Sequence, residues 1–142
     1  ETIFDHGPGD IFAVRIAGNY VTDDVLGSVE FAVELLRSPL VMVLWHTSCG
    51  AVKAAIDAFE GAPPLAGHLH VLADAVKPAV AAARSMPGEW YANAVDENVR
   101  ANVRALVERS PLLANAQRDE AIAIVGAVYD LRTGRVRLLG AA

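Results

Sequence analysis

With 142 residues the chain has room for one domain, which would bury roughly two-thirds of the surface its unfolded form exposes. Its 17 acidic and 12 basic side chains give a formal charge of −5. With no dense run of Lys and Arg, it lacks the electrostatic footprint expected of a partner for nucleic acid or for an anionic membrane surface. Apolar residues make up 54% of the chain, yet no uninterrupted apolar stretch is long enough to span a bilayer.

The first elements follow from punctuation and periodicity. Gly7-Pro8-Gly9 marks a turn, residues 11–15 (IFAVR) read as a short strand, and Ala17-Gly18-Asn19 is a loop. Thr22 is a natural N-cap, with Asp23 and Asp24 in the first turn. Val25, Val29, Ala32, Val33 and Leu36 keep helical spacing until Pro39. Residues 40–45 are apolar at every position, as in a strand covered on both faces, and strand, helix, strand predicts a right-handed crossover.

Residues 50–59 read as the next helix, and the loop at 61–67 contains Pro63 and Pro64. Two further helices are expected over 69–84 and 89–108, separated by Met86-Pro87-Gly88, and a short one after Ser110-Pro111 runs to Arg118. Residues 121–129 are again strand-like, and a turn over 130–134 leads into an antiparallel partner at 136–139. The expected architecture is a single α/β domain of three layers, with a mostly parallel central sheet flanked by helices.

The chemistry concentrates where the apolar run ends. His46 stands at the C-terminal end of a buried parallel strand, where open α/β sheets place their ligands. Cys49, the only cysteine, opens the following helix, where free N–H groups and the positive end of the dipole favour a thiolate. Three residues of spacing across a tight turn let imidazole and thiolate converge on one zinc ion. Two plainer readings stand beside that one: a buried cysteine as a small core hydrophobe, and a histidine hydrogen-bonded locally at a strand end.

Cysteine nucleophile motifs do not fit. A tyrosine-phosphatase-like loop needs an arginine where Ala55 stands, and a hydrolase elbow needs glycines where Thr47 and Ala51 stand. His68 and His70 straddle Leu69, a spacing that does not bring them together on a helix. Trp90 and Tyr91 read as cover for a core or for a subunit interface. One cysteine cannot form an intrachain disulfide and no secretory leader opens the sequence, so the expected home is the reducing cytoplasm.

Several blocks together resemble the β-class carbonic anhydrases. They are Asp10-Ile-Phe-Ala-Val-Arg15-Ile-Ala-Gly18-Asn19, Gly27-Ser-Val-Glu-Phe-Ala-Val33 and His46-Thr-Ser-Cys49-Gly50-Ala51, followed by Glu97-Asn98-Val99 and by the stretch from Ile124 to Gly134. The resemblance covers nearly the whole chain. It implies a zinc lyase that hydrates carbon dioxide reversibly to bicarbonate, as a homodimer or a dimer of dimers, with one zinc per subunit. It also implies that His46 and Cys49 are two of the zinc ligands.

In that family the third ligand belongs to a Cys-x-Asp-x-Arg motif, whose Asp-Arg pair orients the bound water. The motif lies upstream of the position of Glu1 and is absent from this sequence, so catalysis by residues 1–142 alone is not expected. Trp45 replaces the glycine usual before the histidine. Arg15 is expected to border the site or to anchor a strand end, Gly18 and Asn19 to shape a loop, and Gly50 to allow close approach at the helix start. The alternatives are a zinc-free, non-catalytic scaffold that binds partners, and a zinc domain that hydrates carbon disulfide or carbonyl sulfide.

Overall fold

Thr22 sets where the first long helix begins. In a computed structural model, which describes residues 1–140, its Oγ1 accepts from the Val25 N–H at 3.2 Å and starts α1 (Asp23–Glu34). Asp23 and Asp24 add negative charge at the positive end of the helix dipole. Arg37 then turns with φ 56°, and the chain enters β1 (Leu40–His46) directly after Pro39.

Four helices follow: α2 (Gly50–Phe59), α3 (Leu69–Ala83), α4 (Trp90–Arg109) and α5 (Pro111–Arg118). Ser110 ends α4 and caps α5, its Oγ accepting from the Leu113 N–H at 3.1 Å and donating to Glu30 Oε1 at 2.5 Å. This fully buried hydroxyl ties α1 to the α4–α5 corner. Arg109 adds a second tie, bonding Asp23 at 2.6 Å and the Val21 carbonyl.

The last elements are β2 (Ala123–Tyr129) and β3 (Val136–Leu139). β2 starts two residues later than the sequence suggests, because the Ala121 and Ile122 N–H groups are both taken by the Ala116 carbonyl of α5. β1 pairs with β2 in parallel from Leu40↔Ala123 to His46↔Tyr129, and β3 adds to the far side of β2 in antiparallel register. The sheet order is β1-β2-β3.

The α/β class expected from the sequence stands, whereas the strand expected at residues 11–15 does not form. That segment has no regular structure and is unpaired, and Phe12, Val14 and Ile16 remain exposed. Its visible partner is α1, where Phe12 stacks on Phe31 with ring centroids 6.1 Å apart. An isolated strand makes no ladder hydrogen bonds, so the segment gains nothing from becoming regular. The first crossover therefore has no strand to leave from, and the described sheet divides into one parallel and one antiparallel pair.

β1 consequently has an open edge. Pro39 O and Thr47 N bond toward β2, so alternation turns the main-chain groups of Met42 and Leu44 the other way. Asn19 meets that edge, its Nδ2 donating to the Leu44 carbonyl at 3.1 Å.

The core lies between the sheet and α4, with α2 and α3 packed behind it. Trp45, Val52, Val76, Val80, Val99 and Leu113 are all within 2% of complete burial. Helix α4 rides close to the strands because β2 carries Gly126 beneath it: a Cβ there would stand 2.6 Å from Val99 Cγ1 and 3.4 Å from Val103 Cγ2. No carbon atom fits at the first distance, so a side chain at 126 forces Val99, or the helix that carries it, to shift. Gly126→Ala should lower stability by about 1–3 kcal/mol in denaturant unfolding, and adding Val99→Ala should recover part of that loss. An unchanged midpoint in the single variant would contradict this packing.

Candidate metal centre

β1 delivers His46 to the end of the sheet, and the turn that follows is fastened twice. The Thr47 N–H donates to the Tyr129 carbonyl at 2.9 Å, extending the ladder one residue beyond the strand, and Thr47 Oγ1 accepts from the Leu131 N–H at 3.1 Å. Ser48 then adopts φ 58°, a left-handed conformation costly for a residue with a side chain, and this reversal brings the chain into α2. Cys49 is the N-cap of α2.

His46 is exposed, and its Nδ1 lies 2.8 Å from the Thr47 carbonyl. A carbonyl only accepts, so Nδ1 is the donor, and in the neutral form of the ring the lone pair is then on Nε2. That is the arrangement a metal-binding imidazole needs, with the remote nitrogen open and the near one oriented by a second partner. Cys49 is 7% exposed, and its thiol makes no capping hydrogen bond. Alternation along β1 turns Trp45 to the opposite side from His46, into the core, where its indole N–H has no partner. Trp45 therefore packs as a core residue.

Tyr91, from the first turn of α4, donates its phenol to the Cys49 carbonyl at 2.9 Å. Burial first, and the neighbouring Cys49 second, raise that phenol above the usual tyrosine range. Beside the turn lies an open depression of about 470 Å³ lined by Thr47, Ser48, Asp130, Leu131 and Arg132. Its floor is held by Asp130, whose Oδ1 accepts from the Arg132 N–H at 2.8 Å and the Thr133 N–H at 3.2 Å.

The other residues singled out in the sequence separate. Gly18, with φ 88°, and Asn19, with φ 42°, do shape a loop, and Gly18 is further constrained by the Tyr20 ring, 3.2 Å from where its Cβ would be. Gly50 meets open space instead of the close approach expected of it. Arg15 stays exposed on the unpaired segment, with no hydrogen bond or ion pair among the described residues, so it anchors no strand end. Tyr91 had only its apolar ring to mark it in the sequence; 42 positions separate it from Cys49.

The donors available suit zinc in kind, an imidazole nitrogen and a cysteine sulfur, but not in number. Among the described residues, no group of three or more His, Cys, Asp or Glu side chains is placed to hold a metal.

The chain belongs to the β-class carbonic anhydrase family: the family model described as carbonic anhydrase matches residues 1–136. Among curated relatives, a carbonic anhydrase of Mycolicibacterium smegmatis is 39% identical, with 97% of this chain and 67% of that protein covered. Carbonic anhydrase 2 of Mycobacterium tuberculosis is 38% identical, with the same coverage of 97% and 67%. Among solved structures, the β-carbonic anhydrase CafA of Aspergillus fumigatus superposes with a TM-score of 0.84 at 30% identity, covering 99% of this chain and 69% of that one. The Coccomyxa β-carbonic anhydrase in complex with acetazolamide gives 0.81 at 26% identity, covering 97% and 64%. The chain thus spans about two-thirds of the length of the relatives it matches.

The Asp130 turn carries a pH signature. Hydrogen bonds from the Arg132 and then the Thr133 amides hold its carboxyl below the usual aspartate range. Its ionised form therefore contributes stability above the unfolded value of about 3.9, and that contribution disappears as pH falls through the lower folded value. Carbon-detected NMR should find the Asp130 carboxyl titrating below the free amino acid. A midpoint at or above the free value would contradict the turn geometry.

Proposed function

We propose that this chain forms the histidine-and-cysteine part of a zinc-dependent carbonic anhydrase that interconverts carbon dioxide and bicarbonate, with His46 and Cys49 as two of the metal's protein ligands. The observation that carries the proposal is the His46 ring, tied through Nδ1 to Thr47 and open at Nε2, on the same short turn as Cys49. Membership of the family supplies the reaction class.

Bound zinc would supply Lewis acidity, lowering the pKa of a water in its open position to about 7. The chain's own contributions are to orient and to hold. Thr47 keeps the His46 ring in one tautomer and also fixes the turn to the sheet through its N–H and hydroxyl. Cys49 offers an unengaged thiol at a helix start. The open edge of β1, with the outward main-chain groups of Met42, suits an added strand. We take protein beyond the described residues to lie there and to bring the third ligand with its Asp-Arg pair.

Phe31, Leu35, Leu36 and Leu40 are more than 45% exposed, an apolar surface better suited to a subunit contact than to water. A second copy of the chain is the proposed occupant, giving a homodimer or a dimer of dimers. A reducing compartment such as the cytoplasm suits the free Cys49 thiol, and no helix among the described residues is long and apolar enough to cross a membrane. A zinc-free scaffold is the second reading, favoured by the two-member ligand set among the described residues.

Stopped-flow carbon dioxide hydration and metal analysis on the complete native protein separate the readings. The proposal expects turnover and about one zinc per chain. His46→Ala and Cys49→Ala should each cost more than the roughly 10- to 100-fold that loss of an outer partner costs. A folded protein without zinc or turnover would leave the scaffold reading.

A further inference from the structure

The Cys49 carbonyl is more heavily engaged than a helix start requires. It accepts the first bond of α2 from the Lys53 N–H at 3.2 Å, and it accepts the Tyr91 phenol at 2.9 Å, so both of its lone pairs are used. The residues on either side offer little restraint of their own. Ser48 sits in a left-handed conformation, and Gly50 has no side chain and open space around it. The Cys49 thiol makes no capping bond, so the path of the backbone sets the direction in which it leaves the turn.

The two ends of the turn are held differently. Thr47 is bonded to Tyr129 and Leu131, next to the sheet. On the Cys49 side, Tyr91 is the hydrogen-bonding side chain that reaches in from another element. It stands in the first turn of α4, which Glu89 caps by accepting from the Ala92 N–H. Further along α4, Val99 is locked over Gly126.

We infer that Tyr91 is a positioning residue for the metal centre: by holding the Cys49 carbonyl it fixes the Cys49 thiol in register with His46. The inference rests on the reading of those two residues as zinc ligands. A phenylalanine would fill the same space without the bond, so the role resides in one oxygen atom.

The test uses cobalt(II) as a spectroscopic stand-in for zinc in the complete protein, with affinity measured by chelator competition. Tyr91→Phe should bind cobalt about 10- to 100-fold more weakly and shift the thiolate-to-cobalt charge-transfer band. Trp90→Phe removes the neighbouring bond to Val80, and should lower thermal stability while leaving affinity and band unchanged. Placing 4-aminophenylalanine at 91 restores a donor and should restore tight binding. Wild-type affinity and spectrum in Tyr91→Phe would overturn the inference, as would equal losses in Tyr91→Phe and Trp90→Phe. Wild-type protein that binds cobalt no better than Cys49→Ala would instead overturn the underlying ligand assignment, and the inference with it.

Discussion

The parallel pairing of β1 with β2 is the constraint on which the rest depends. Its register runs unbroken to His46↔Tyr129 and continues through the Thr47 N–H, so the end of β1 and the start of the 130–134 turn are fixed side by side. A slip of one residue would exchange Trp45 and His46, driving the imidazole into the core and the indole into water. The same pairing that buries Trp45 therefore presents His46.

Helix α4 converts that register into a rigid turn. It lies against β2 because Gly126 leaves room for Val99, and from this position its first turn reaches the Cys49 carbonyl through Tyr91. Asn102, nearly buried on the same helix, accepts from the Val21 N–H at 2.9 Å, so α4 also fixes the entry to α1. One helix thus links the sheet, the His46–Cys49 turn and the first helix. Fold alone would not define chemistry; the free nitrogen of His46 and the unengaged thiol of Cys49 supply it.

Much of this was legible in the sequence because the signals were local. The apolar run ending at Trp45, the Thr22 cap and the Ser110-Pro111 helix start each depend on neighbouring residues, and each element begins within a residue or two of expectation. His46 and Cys49 stood out as candidates by residue type and spacing, but spacing left a core cysteine and a locally bonded histidine equally open, and the family resemblance is what pointed to ligand roles. Residues 11–15 misled: β-branched and aromatic composition reports that a segment can lie in a sheet, but a partner strand decides whether it does. Tyr91 was invisible for the opposite reason. Its role lies in a hydrogen bond across 42 positions, and nothing in the local sequence distinguishes it from a tyrosine that covers a core. Gly50 looked functional by adjacency, whereas Gly126, unremarked in the sequence, proved to be the glycine that close packing requires.

The claim at the centre of this account is that one imidazole and at least one thiolate of this chain bind the same ion. Zinc K-edge X-ray absorption on the complete, metal-loaded protein measures it most directly. The account predicts nitrogen at about 2.0 Å together with sulfur at about 2.3 Å, with sulfur scattering reduced in Cys49→Ala. A first shell of nitrogen and oxygen alone, unchanged by that substitution, would contradict it.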